Sequence, residues 1–279
     1  MRQFSRAEIL ERLRAKIKDR RPIIMGGAGI GLIAKVADRA GIDAILAYNT
    51  GPMRMDGHGS FAGYLAYSDS NAVTLELGLK LLPVVENTPV IAGIGAADPY
   101  RHIPHLIDQM MDLGFSGIIN VPTAGVYGGD MRLHIDATGL GYPKEIDLIR
   151  MCRERDILSM AYVFNPDEAR KMTEAGADVI AAHVKYTTGG MVAASEDVAP
   201  DLERACQLTE SMCQAARSVR PDVILVSHGG PFNDPPSVQY SFDHTSVHGY
   251  MGASSIERIP VEKAITNVVK EFLSLKIGH

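Results

Sequence analysis

Two histidines close apolar runs in this chain, His183 after "DVIAA" and His228 after "DVILVS". An imidazole titrates near neutral pH, so either ring can move a proton. Asn49 follows "AILAY", Asp98 follows "PVIAGIGAA", Asn120 follows "SGII" and Asn165 follows "MAYVF", so polar residues stand at six such ends. One polar end is ordinarily a satisfied core residue; this many imply a shared pocket. Asp98 could hold a divalent cation or take a proton.

A second set points to an anion. In "SHGGP" (227–231) and "GASSIER" (252–258), Gly229, Gly230 and Gly252 let backbone N–H groups approach a ligand. Ser254 and Ser255 can donate hydroxyls, Arg258 can clamp two oxygens, and Glu257 can orient Arg258 or act as an acid. The structural alternative is that the glycines turn the chain and Arg258 pairs with Glu257 or Glu262. The stretch "TGPMRMDGHGSFAGYLAYSDS" contains four glycines with Arg54, Asp56 and His58. It reads as a lid that brings Arg54 onto a carboxylate or phosphate, or as an ordered loop contacting another subunit. Lys185 shares strand alternation with His183, so an inward Lys185 could form a Schiff base; the alternative is a solvated lysine. Gly29, Gly31 and Ala34 fit a relaxed dinucleotide fingerprint. The next strand ends in Tyr48 and Asn49 rather than the ribose-binding acid, so no nicotinamide or flavin is expected.

The elements that position these residues repeat one pattern. "AGIDAILAY", "LGFSGIINV" and "AGADVIAAH" each end a helix at Gly and run into a buried strand. Five more strands read at "PIIMGG", "PVIAGIG", "ILSMAYVF", "DVILVS" and "VHGYMGA", with helical patterns such as "KEIDLIRMCRERD" between them. Apolar runs without strict alternation suit a parallel sheet covered on both faces. Eight strand–helix units in 279 residues predict an α/β fold, a single (β/α)8 TIM barrel. An open doubly wound sheet is the rival. Long exits at 50–70, 122–142 and 184–199 fall on one face of a barrel. Residues 1–21 form a capping helix ahead of a barrel over 22–279: Ser5 and Glu8 make a capping box, and Leu10, Leu13 and Ile17 continue an apolar stripe. Helix 261–275 closes the chain on its own barrel or on a partner's.

A net charge of −5 without basic runs argues against nucleic acid or an anionic membrane as partner, and no stretch reaches a membrane span. Cys152, Cys206 and Cys213 lack metal spacing and are too few to staple such a chain, which fits a reducing cytoplasm.

The strings "AYNTGPMRMDGHGSFAGYLAYSDSN", "NVPTAGVYGGDMR", "AGADVIAAHVKYTTGG", "SHGGPFNDP" and "VHGYMGASSIERIPVEKAITN" resemble the phosphoenolpyruvate hydrolase-like TIM-barrel family, associated with phosphonopyruvate hydrolysis. That resemblance implies membership of the phosphoenolpyruvate/pyruvate barrels. It implies Mg2+ holding a 2-oxo acid or its enolate and a last helix exchanged between subunits of a homo-oligomer. Only Asp98 matches that group's clustered acids, and its Lys-Cys-Gly lid segment does not occur here. The expected function is hydrolysis of a small phosphorylated or phosphonylated 2-oxo acid. Mg2+ would lie near Asp98, the Gly229/Gly230/Gly252 and Ser254/Ser255 loops would hold phosphorus-bound oxygens with Asn49, Arg54, Asn120 and Arg258, and His183 or His228 would move protons. The alternatives are a small-anion-binding or signalling barrel without catalysis, and a Lys185 aldolase.

Overall fold

The computed structural model describes residues 2–193 and 198–278. Eight parallel strands close into a barrel in sequence order: β1 (Ile23–Gly27), β2 (Ala44–Ala47), β3 (Val90–Gly93), β4 (Gly117–Ile119), β5 (Leu158–Val163), β6 (Val179–His183), β7 (Ile224–His228) and β8 (Gly249–Gly252). The last strand pairs with the first, Met25 opposite Met251, so the sheet has no free edge. The three repeated helix ends use glycine because each turns through the left-handed region: Gly41 at φ 84°, Gly114 at 115° and Gly176 at 106°.

Strand parity decides what the barrel encloses. Ile23, Met25, Leu46, Ile91, Ile119, Leu158, Met160, Val179, Ile224, Val226 and Met251 form one buried cluster with Phe4, just ahead of the first helix, and with Ile9, Leu10 and Leu13 of that helix, Arg6–Lys18. That helix plugs the N-terminal end. Its capping box is present, with Ser5 N–H donating to Glu8 Oε2 at 2.8 Å, and Arg6 grips Asp178 at 2.7 Å. With that floor filled, the axial space that could take a ligand lies toward the C-terminal mouth.

Over that mouth the exit of β2 folds into helix Thr50–Met55 and the 3-10 turn Ser60–Tyr64, and the exit of β4 into helix Gly129–Ala137. The exit of β6 lies partly outside the described residues. Helix Arg258–Leu273 leaves the barrel: its apolar residues Ile265, Val268, Phe272 and Leu273 are exposed, Phe272 at 68%.

Candidate active site

Parity carries Tyr48, Tyr162, His183 and His228 into the top layer of the barrel, where with Arg54, Tyr64 and Tyr186 they line an axial chamber of about 30 Å3. The two imidazoles lie 4.6 Å apart between centroids, and Tyr162 packs on both, at 5.2 Å from His183 and 4.6 Å from His228. Burial pushes both histidines down: His183 falls well below its ordinary value, with His228 and Lys185 adding repulsion, and His228 falls to about 4. Both rings are therefore neutral at physiological pH.

Arg54 enters the chamber from the β2 exit and is anchored from the far end of the chain. Its Nε lies 2.7 Å from Glu257 Oε2, its Nη1 donates to Thr50 Oγ1 at 2.7 Å, and the other oxygen of Glu257 accepts from Gly29 N–H. Both side chains are buried, 1% and 0% exposed. Burial opposes the Arg54 charge, but the Glu257 carboxylate outweighs it and raises the guanidinium above its ordinary value. A Cβ at Gly27 would stand 2.9 Å from Arg54 Nη2, so glycine there leaves room for the guanidinium. Nη2 lies 2.7 Å from Glu257 Oε2 as an ion pair without an aligned hydrogen bond, whereas the hydroxyls of Tyr162 and Tyr186 have no hydrogen-bond partner among the described residues. Two unpartnered hydroxyls beside a buried guanidinium are expensive unless something polar meets them.

The roof is aromatic. Phe61 and Tyr64 from the β2 exit meet Tyr186 from the β6 exit, with centroids 5.2 Å apart for Phe61–Tyr186 and 5.9 Å for Tyr64–Tyr186. Asn49 staples this roof to its strand, donating to Gly63 O at 2.6 Å and Ser70 Oγ at 3.0 Å, so its side chain turns away from the axis. Asn120 also turns outward, accepting from Tyr162 N–H at 2.8 Å and donating to Glu145 at 2.6 Å. Asn165 caps helix Pro166–Ala175 through the N–H of Glu168.

The remaining candidates stand around the chamber rather than in it. Gly229 and Gly230, at φ 79° and 56°, fold β7's exit against β6's; a Cβ at Gly229 would fall 2.1 Å from Lys185 O, and Gly230 N–H is taken by that carbonyl at 2.9 Å. Gly252 leaves space for Ile256, whose Cγ1 a Cβ would meet at 2.3 Å. Ser254 Oγ is 3.4 Å from Ser60 Oγ, beside Arg54. Ser255 bonds Tyr250 Oη at 2.6 Å and faces an outer groove. Arg258 pairs with Glu262 and donates to Gly189 O at 3.1 Å. Lys185 is exposed because its φ of 107° breaks the alternation that pointed it inward, so it does not line the chamber.

Asp98 belongs to a separate, wider cleft of about 660 Å3 beyond Tyr64, with Asp69, Arg101, Thr123, Tyr127 and Glu145. Sequence reasoning missed Tyr162, Tyr64, Tyr186 and Glu145. Burial raises Glu145 to about 7 against hydrogen bonds from the Thr123 side chain, Ala124 N–H and Asn120.

The family model described as phosphoenolpyruvate hydrolase-like matches residues 8–275. The chain belongs to the phosphoenolpyruvate hydrolase-like family. The tomato (Solanum lycopersicum) ToMV resistance protein Tm-1 and its ToMV-susceptible counterpart are each 41% identical to it over 273 residues, which is 98% of this chain and 36% of theirs. The chain thus spans about a third of the length of these relatives. Among solved structures it is similar to a phosphonopyruvate hydrolase complexed with oxalate and Mg2+, at 20% identity and a TM-score of 0.59, covering 97% of this chain and 86% of that one. It is also similar to oxaloacetate acetylhydrolase bound to 3,3-difluorooxalacetate, at 15% identity and a TM-score of 0.59, covering 98% and 88%. These likenesses show the barrel fold.

For this member of the phosphoenolpyruvate hydrolase-like family, the donor set around Asp98 does not fit Mg2+. Asn71 Nδ2 at 2.8 Å, Tyr100 N–H at 2.9 Å and Arg101 Nη1 at 2.6 Å occupy the carboxylate, and these bonds hold it below its usual range against burial. A guanidinium stands where the cation would sit. Among the described residues no cluster of three carboxylate, imidazole or thiol groups converges on a metal. No described helix is long and apolar enough to cross a membrane.

Proposed function

We propose that the chain is a barrel enzyme that acts on a small 2-oxo acid held in the axial chamber, by proton transfer at the His183–His228 pair. The observation that carries this reading is the convergence of the Arg54 guanidinium and two hydroxyls with no partner among the described residues, those of Tyr162 and Tyr186, on two neutral imidazoles in one chamber. Donors fixed before the ligand arrives stabilise an oxyanion or enolate without reorganisation. The proton is moved by an imidazole already stripped of water. At about 30 Å3 the chamber holds little more than a water molecule, so Phe61, Tyr64 and Tyr186 must part to admit a three-carbon acid and then close over it.

Phosphonopyruvate and oxaloacetate are the first substrates to test, because phosphonopyruvate hydrolase and oxaloacetate acetylhydrolase share the fold. The assay follows pyruvate and phosphate, or oxalate, with and without Mg2+. Turnover that survives His228→Asn, or none by the wild type on any 2-oxo acid, removes the catalytic reading. The Asp98 arrangement favours a second reading, a barrel that binds a small anion without converting it; calorimetric binding with no product by mass spectrometry selects it.

The assembly proposed is a homo-oligomer. The exposed apolar face of helix Arg258–Leu273 would lie in a second copy's groove between Val238, Phe242, Tyr250 and Ile256.

A further inference from the structure

The two chamber histidines are held by opposite backbone contacts. Lys185 N–H donates to Nδ1 of His183 at 3.2 Å, whereas Nδ1 of His228 lies 2.6 Å from the carbonyl oxygen of Met251. An amide nitrogen only donates and a carbonyl oxygen only accepts. Nδ1 of His183 is therefore bare and Nδ1 of His228 carries a hydrogen. In neutral rings the other nitrogens are complementary: Nε2–H on His183 and a lone pair on Nε2 of His228. The contact to His183 goes with the left-handed backbone of Lys185, φ 107°, a conformation unfavourable for a lysine, which turns its N–H back onto the ring.

We infer that the pair is a preset donor and acceptor: His183 holds a ligand oxygen through Nε2–H, and His228 takes a proton from the same ligand through Nε2. This rests on the axial chamber being the ligand site. It specifies the ligand class: a small acid with a carbonyl oxygen and, beside it, a removable proton on carbon or on a hydroxyl. The step balances without an oxidant. The proton passes to His228, which becomes imidazolium. The resulting oxyanion receives hydrogen bonds from His183 Nε2–H and the Tyr162 hydroxyl, and His228 returns the proton to the product. His183 gives up no proton, since doing so would leave an imidazolate.

The test uses the whole chain labelled with 15N-histidine, one of nine histidines being identified at a time by His183→Asn and His228→Asn. Asparagine places an amide at the Nδ1 position, so both substitutions keep the backbone contact and remove Nε2. Long-range proton–nitrogen correlation at neutral pH is expected to show His183 as the Nε2–H tautomer and His228 as the Nδ1–H tautomer. The same tautomer at both sites, or a doubly protonated ring, overturns the inference while leaving the chamber reading standing. Pyruvate is the probe: its methyl protons should exchange with D2O faster with wild type than in buffer, with a loss of about 100-fold or more in His228→Asn. Opposite tautomers with no pyruvate-induced shift and no exchange overturn the chamber reading and the inferred roles together. Full exchange in His228→Asn, with correct tautomers, overturns the role of His228 alone.

Discussion

Replacing Glu257 by glutamine keeps its shape and leaves the Arg54 guanidinium, 1% exposed, facing a neutral amide. Breaking a buried pair by neutralising one partner costs about 3–5 kcal/mol, because the remaining charge is desolvated without compensation. The lower figure applies if Thr50 Oγ1, 2.7 Å from Nη1, and the amide oxygen of the new glutamine share the load. With a urea slope of about 3 kcal/mol/M, the unfolding midpoint should fall by roughly 1–1.7 M. Arg54→Met should cost a similar amount, by burying the Glu257 carboxylate opposite only the Gly29 N–H. The double variant Arg54→Met/Glu257→Gln should recover most of the loss, since a buried pair replaced as a unit is often near neutral. The assay is urea unfolding of all four proteins followed by circular dichroism. Single losses under about 1 kcal/mol, or a double variant equal to the sum of the singles, would show that the two charges are not coupled across the mouth.

Gly229→Ala should lose more than about 1 kcal/mol in the same assay, because its Cβ would strike Lys185 O at 2.1 Å and φ is 79°. An equally stable variant would refute the close approach of the two exits. Glu145, raised to about 7 in the fold, binds its proton more tightly folded than unfolded. Its stabilisation is present below the unfolded value and lost as pH rises toward 7, by an amount on the order of 3 kcal/mol, and the loss should be absent in Glu145→Gln. His228, lowered to about 4, has the opposite sign: its contribution is present above the ordinary histidine value and lost as pH falls toward 4. Unfolding free energies of wild type and Glu145→Gln from acid to mildly alkaline pH separate the two, and parallel curves would contradict the burial of Glu145. The exposed residues Ile265 and Phe272 should tolerate Ile265→Asp/Phe272→Asp within about 0.5 kcal/mol in a monomer. In light scattering the same change should convert oligomer to monomer, and a wild type that is monomeric at all concentrations removes the assembly proposed.

The barrel was legible because its strands are short apolar runs, three of them entered through glycine caps, a local signal that needs no distant partner. The chamber was half legible. His183 and His228 share parity with Ala181 and Val226 inside the barrel, so their inward direction followed from alternation. The same parity turns Asn49, the neighbour of inward Tyr48, away from the axis, and it marks Tyr162, two residues after Met160, as a chamber residue that reads as plain core in sequence. Alternation failed at Lys185, where a positive φ accompanies the close approach of Gly229 and is invisible in residue type. The Arg54–Glu257 pair spans 203 positions, and the orphaned hydroxyl of Tyr186 becomes notable only once the roof is folded. These are tertiary facts with no local trace. Asp98 lies in the loop five residues beyond the end of β3 rather than at the strand's end, and its partner Arg101, three residues on, fills the place a cation would need.

A crystal soaked in pyruvate tests the central claim most directly. Density on the barrel axis, with oxygens within hydrogen-bond distance of Arg54 Nη2, the Tyr162 hydroxyl and His183 Nε2, is the predicted result. Density confined to the cleft of Asp98 and Arg101, or to the Gly229 and Ser254 turns, would contradict it.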